Sequence, residues 1–167
     1  RSGCYAVLDV AGVDIVPPSD PSVNANIGGV LAGFTADIEF DVVDDANAVV
    51  AEVAASGFGP GGLDEANTVV VSGGDVDTGE AAAIQSISGY EGSASDYDIT
   101  DNAAALISAG DGVLDVDGVD IVTASDPSVN ASDGAILAGF TADIEFDVAD
   151  TAGALKSVMG TDDPASY

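Results

Sequence analysis

Histidine and tryptophan are absent from this 167-residue chain, and cysteine (Cys4), lysine (Lys156) and arginine (Arg1) occur once each. Each absence removes a class of chemistry. Without imidazole there is no Ser-His or Cys-His nucleophile pair and no histidine-ligated metal. A single cysteine can form neither an intrachain disulfide nor a zinc knuckle. Two cations against thirty acidic groups leave a formal charge of −28, so nucleic acid and anionic membrane would repel the chain. No run of about 18 apolar residues is present, which argues against membrane insertion. No basic stretch followed by an apolar run opens the sequence as a secretory leader would.

What is present is apolar. Hydrophobic residues make up 47 % of the chain and mean hydropathy is +0.32, whereas acidic disordered tails combine high charge with low hydrophobicity. A core must therefore carry the charge. Of the thirty acidic residues, twenty-four are Asp and six are Glu.

A repeat organises the chain. Residues 7–49 recur as residues 113–155, offset by 106, with 32 of the 43 aligned positions identical. A diverged third copy lies between them at 68–110, where YDITDNAAAL matches FDVVDDANAV and FDVADTAGAL. The module is therefore about half of 106, near 53 residues, and occurs three times: 1–62 (ending in the Gly-rich linker GFGPGG), 63–112 and 113–167.

Each module reads as strand, helix, strand, helix. Val13–Val16, Val119–Val122 and the β-branched Thr68–Val71 form the first strand. Ser-Asp-Pro-Ser (19–22, 125–128) suits a type I turn. A short helix follows, with an apolar face of Ile27, Leu31 and Phe34, or Ile136, Leu137 and Phe140, or Ile84 and Ile87 in the middle copy. The second strand (Ile38–Val42, Asp96–Ile99, Ile144–Val148) alternates apolar with acidic residues. A last helix opens at Asp44, Asp101 or Asp150, each expected to act as its N-cap. Asn24 and Asn130 are expected to cap the earlier helices in the same way. Strands alternating with helices at this spacing imply a parallel sheet. The fold class is thus α/β, either a repetitive strand-helix solenoid or a compact α/β domain that arose by internal duplication. Neither end carries an obvious polar cap, so the expected partners are a further copy of the chain or neighbouring repeats of a longer one.

The recurring aromatic-Asp-aliphatic-x-Asp motif pairs Asp41 with Asp44, Asp98 with Asp101 and Asp147 with Asp150. Singly, the first Asp would face water and the second would cap a helix. In a stack, equivalent Asp residues would form ladders about 5 or 10 Å apart, close enough to repel through a screening length of about 8 Å. Calcium, which accepts several carboxylate oxygens in flexible geometry, would relieve that repulsion. The loop Asp115-Val116-Asp117-Gly118-Val119-Asp120 places Asp at alternate positions around a glycine, as a calcium loop does, but lacks the terminal Glu of an EF-hand. A polar turn leading into a strand is the preferred account of it. Asp77-Thr78-Gly79 spells the aspartic-protease triplet, yet it occurs once and Glu80 follows Asp77 as in a capping box. No carboxylate pair stands out as a glycosidase site, so no enzyme is expected.

The segments FDVADTAGAL and YDITDNAAAL, each closing a strand and opening a helix, resemble the Y-x-[IV]-x-D-[TN]-A-A-x-L repeats of very large secreted bacterial surface proteins, the adhesin-like and haemolysin-type calcium-binding group. The glycine-rich nonapeptides of that group are absent here. The resemblance implies an extracellular, passive, calcium-dependent role: a structural or adhesive element of a surface layer, filament or giant adhesin. The alternative is an acidic binding module for a partner protein or carbohydrate, although Tyr5, Tyr90 and Tyr167 are too scattered for a sugar platform. Adaptation to high salt would also produce this acidity.

Overall fold

The structure, a computed structural model, describes residues 22–33, 38–55 and 61–159. Six strands, β1 (Ser22–Val23), β2 (Asp41–Asp44), β3 (Thr68–Val76), β4 (Asp96–Asp101), β5 (Val119–Ala124) and β6 (Ile144–Glu145), form one sheet. Every pair is parallel, and spatial order equals chain order. Parallel neighbours require a crossover, and helices supply each one: α1 (Ala25–Leu31), α2 (Ala46–Ala55), α3 (Thr78–Gln85), α4 (Ala103–Ala109) with α5 (Asp111–Leu114), and α6 (Ala131–Leu137). A last helix, α7 (Ala152–Val158), follows β6. The helices touch in succession, α1 to α2 to α3, then α4 to α6 to α7, with α3 joined to α4 and α5. The sheet is open, with β1 and β6 at its edges among the described residues.

Alternation within the strands assigns its faces. Val69 and Val71 of β3 and Tyr97 and Ile99 of β4 are buried, while Thr68, Val70, Asp98 and Thr100 between them are not. The inward residues join Val49, Ile84 and Leu106 of the helices in one hydrophobic cluster running from Ala25 to Ile144. That cluster crosses both expected module boundaries. The first, at 62/63, falls inside the 3-10 turn Gly61–Glu65, and the second, at 112/113, inside α5. The final residues of GFGPGG thus belong to a folded turn, and Leu63 beside them is fully buried.

The 106-residue repeat survives in three dimensions. Helices α1 and α6 begin and end 106 residues apart, and the β1–β2 pair Val23↔Val42 recurs as the bridge Val129↔Val148. The expected strands at Thr68–Val71, Asp96–Ile99 and Val119–Val122 lie within β3, β4 and β5. Val13–Val16 and Phe34 lie outside the described residues.

One expectation about the short helices is overturned. Ile84, Ile87 and Leu137 are buried as expected, but Ile27 is 46 % and Ile136 43 % exposed, and Ala25 and Gly28 in α1, and Ala131 and Gly134 in α6, are buried in their place. The glycines decide this. A Cβ on Gly28 would stand 2.9 Å from Val42 Cγ2, and one on Gly134 would stand 2.8 Å from Val148 Cγ2. The helices lie so close to the strands there that a side chain would have to displace the facing valine, which turns the larger isoleucines outward. Strand β3 holds a further irregularity: its register to β4 shifts between Ser72 and Asp75, where Gly73 and Gly74 have φ of +77° and +104°. Two left-handed glycines give the bulge that lets β3 serve both neighbours.

Candidate functional site

The first turn of any helix leaves N–H groups without intrahelical partners. Here six helix starts are capped from their own chain segment, and four of them, α1, α3, α4 and α6, are met again by an aspartate at or just beyond the end of the next strand. Local caps come from Asn24 to the Ile27 N–H (2.9 Å), Asp45 to Ala48 (3.1 Å), Asp77 to Glu80 (2.8 Å), Asn102 to Ala105 (3.0 Å), Asn130 to Asp133 (3.0 Å) and Thr151 to Ala154 (3.2 Å). The expected roles of Asn24 and Asn130 are therefore present. Asp77 and Glu80 form the expected capping box, with the Asp77 N–H donating to Glu80 Oε2 at 3.0 Å.

The second tier joins elements far apart in sequence. Asp44 Oδ2 accepts from the Ala25 N–H (3.0 Å), Asp101 Oδ2 from the Thr78 N–H (3.2 Å) and hydroxyl (2.8 Å), Asp126 Oδ2 from Ala103 (2.6 Å) and Asp150 Oδ2 from Ala131 (3.1 Å). Each acceptor stands 19 or 23 residues after the helix start it caps. The other oxygen of Asp44, Asp101 and Asp150 accepts the N–H of the following residue: Asp45 (3.0 Å), Asn102 (2.7 Å) and Thr151 (2.6 Å). This corrects the expected N-cap by one residue. Asp45, Asn102 and Thr151 cap their own helices, while the preceding Asp reaches back to the neighbouring helix. Asp126, placed by sequence in a type I turn, lies in a bend and belongs to the same series. Two further carboxylates tie forward: Asp64 accepts from the Ser88 N–H (2.7 Å) and Asp111 from Thr141 (2.9 Å).

Electrostatics follow from these bonds. Burial pushes the Asp101 carboxyl up, but the donors Thr78 and Asn102 outweigh it and hold it below its ordinary value. The Ala131 and Thr151 N–H groups lower Asp150 likewise. Negative charge at the positive end of a helix adds to both. The carboxylates of this ladder thus have backbone donors as partners, and need no Lys or Arg.

The remaining expected metal ligands are dispersed. Asp41 accepts from the Thr68 hydroxyl (2.9 Å) and Asp98 from the Ile121 N–H (3.2 Å), each across to the next strand, while Asp147 is exposed. Asp115 and Asp117 are exposed in the turn leading into β5, and Asp120 is exposed within β5 itself. There the Asp117 carbonyl accepts from the Tyr90 hydroxyl (2.8 Å), and Gly118 takes φ +100°. Tyr90 is part of the packing beside Tyr97, and burial raises both phenols above their ordinary value. Among the described residues no group of three or more Asp, Glu or Cys side chains is placed to hold one metal ion. Asp44, Asp101 and Asp150 have both oxygens engaged by N–H donors.

Compared with known proteins, the chain matches no family model, no curated protein and no solved structure. In open α/β sheets, ligand crevices form where strand order reverses. Among the described residues the order runs from β1 to β6 without reversal, and no such crevice is formed there. The arrangement serves to fasten one strand-helix unit to the next.

Proposed function

We propose that this chain is a structural segment of an extracellular surface layer, filament or adhesin, a strand-helix solenoid that extends by adding units. The observation that carries this reading is the capping ladder: in four places an Asp at or just beyond a strand end grips the first amide of the preceding helix. Each such bond lets a new unit complete the one before it. A sheet whose order equals chain order can lengthen without changing any internal contact. The resemblance of FDVADTAGAL and YDITDNAAAL to repeats of secreted surface proteins supports the location, and a charge of −28 keeps such an element solvated. Labelling intact cells of the source with an antibody to the chain tests this. Label on the outer surface is expected, whereas label only after permeabilisation would overturn the reading.

A further inference from the structure

Matching residues of the two long copies differ sharply in burial. Val42 is 0 % exposed and its counterpart Val148 is 42 % exposed; Val53 is 7 % exposed where Met159 is 79 %. Phe40 is buried, and Phe146 only partly so. The cause is visible in copy one. The turn Gly61–Glu65 lies against α1, with Leu63 Cδ2 3.6 Å from where a Cβ on Gly28 would stand. A Cβ on Gly62 would lie 2.9 Å from Ala32 Cβ. In copy three the equivalent ground is a groove of about 390 Å³ whose walls include Leu137, Ala138, Phe140, Ile144 and Phe146.

The chain itself shows what fills such a groove. Leu63–Val71 aligns without gaps with Leu114–Val122 and with Leu8–Val16, each beginning Leu-Asp and ending in Val. Leu63 and Leu114 are both buried, and each leads into a strand, β3 or β5, that pairs parallel with the strand of the preceding unit. The third instance heads the chain, outside the described residues, and enters here by its sequence alone. We infer that the groove between α6 and Phe146 receives Leu8 of a second copy, whose Val13–Val16 then pairs with the exposed edge at Ile144–Val148. The same placement brings the partner copy's counterpart of Asp126, the residue at position 20, to the Ala152 amide that opens α7, as Asp126 meets Ala103. This names the partner for the structural reading above and rests on it. Head and tail are different surfaces, so the contact is heterologous and does not close: assembly is open-ended.

Two complementary variants test it. Leu8→Asp spoils the head and keeps the tail, while Ala138→Arg, at an exposed position, blocks the groove and keeps the head. In sedimentation velocity at about 1 M NaCl, where screening shortens to about 3 Å, the unaltered chain is expected to grow with concentration. Each variant alone stays monomeric, and a mixture of the two stops at twice the monomer mass. Circular dichroism confirms that each variant is folded, and Leu8→Ala replaces Leu8→Asp if the latter loses its spectrum. A monomeric mixture of folded variants would overturn the inference, leaving the groove to residues 160–167 or another protein. Growth that persists in Ala138→Arg would overturn it too. Surface labelling of cells depends on neither result, so the two readings can fail separately.

Discussion

Aspartate outnumbers glutamate four to one in this chain, and the ladder explains why the shorter acid is used. A carboxylate one bond from Cβ has few rotamers and can hold two amides at once, as Asp101 and Asp150 do. Asp101→Ala removes the acceptor for Thr78 and Asn102 together, so a loss of about 1–2 kcal/mol in urea unfolding is expected. Exposed Asp120→Ala should stay within about 0.5 kcal/mol. The pH dependence follows from the lowered folded-state values of Asp101 and Asp150. Their contribution is complete above the unfolded carboxyl value of about 3.9 and is lost as pH falls through the lower folded values. Protonation also relieves self-repulsion among the other acids, so the informative quantity is a difference. The unfolding free energy of the double variant Asp101→Asn/Asp150→Asn should fall less steeply below about pH 4 than that of the unaltered chain.

At the scale of the element, the same glycine does different work in the two copies. Gly28 and Gly134 let α1 and α6 touch their strands, but Val42 behind Gly28 is fully buried, whereas Val148 behind Gly134 can give way into solvent. Gly28→Ala is expected to cost about 1–3 kcal/mol through overpacking. At Gly134→Ala the approach is as close, but half-exposed Val148 can shift, and a gain in helix propensity of up to about 1 kcal/mol offsets what remains. Thermal unfolding of the two single variants should therefore separate them, despite 32 identities in 43 positions. Much of the element order was legible beforehand: the apolar alternation of Asp96–Ile99 and the Asn caps act over a few residues, within the range of sequence pattern. The outward turn of Ile27 and Ile136 was not, because which side of a helix is buried depends on how closely the facing strand approaches.

For the whole molecule, thirty acidic groups create a field that two cations do not balance. Raising NaCl from about 0.05 M to about 1 M shortens the screening length from over 10 Å to about 3 Å. The melting temperature is expected to climb steadily over that range by scanning fluorimetry. Calcium at matched ionic strength should add little beyond this, since the described carboxylates of the ladder are already engaged by amides. A calcium-specific rise of many degrees would overturn this expectation.

The repeat period, the alternation of strand and helix, the caps at Asn24, Asp77 and Asn130 and the parallel sense of the sheet were all determined by the sequence alone, because each rests on spacing between near neighbours. The partner of each strand-end aspartate was decided only in the folded state. Asp44, Asp101 and Asp150 stand beside the helix they precede, yet reach an amide 19 or 23 residues back, because parallel stacking sets each helix start beside the end of the next strand. Periodicity marks a residue as apolar and inward, but not what covers it. Val42 and Val148 occupy the same place in the same motif, and only the presence of Leu63 and β3 beyond the first buries one and leaves the other exposed.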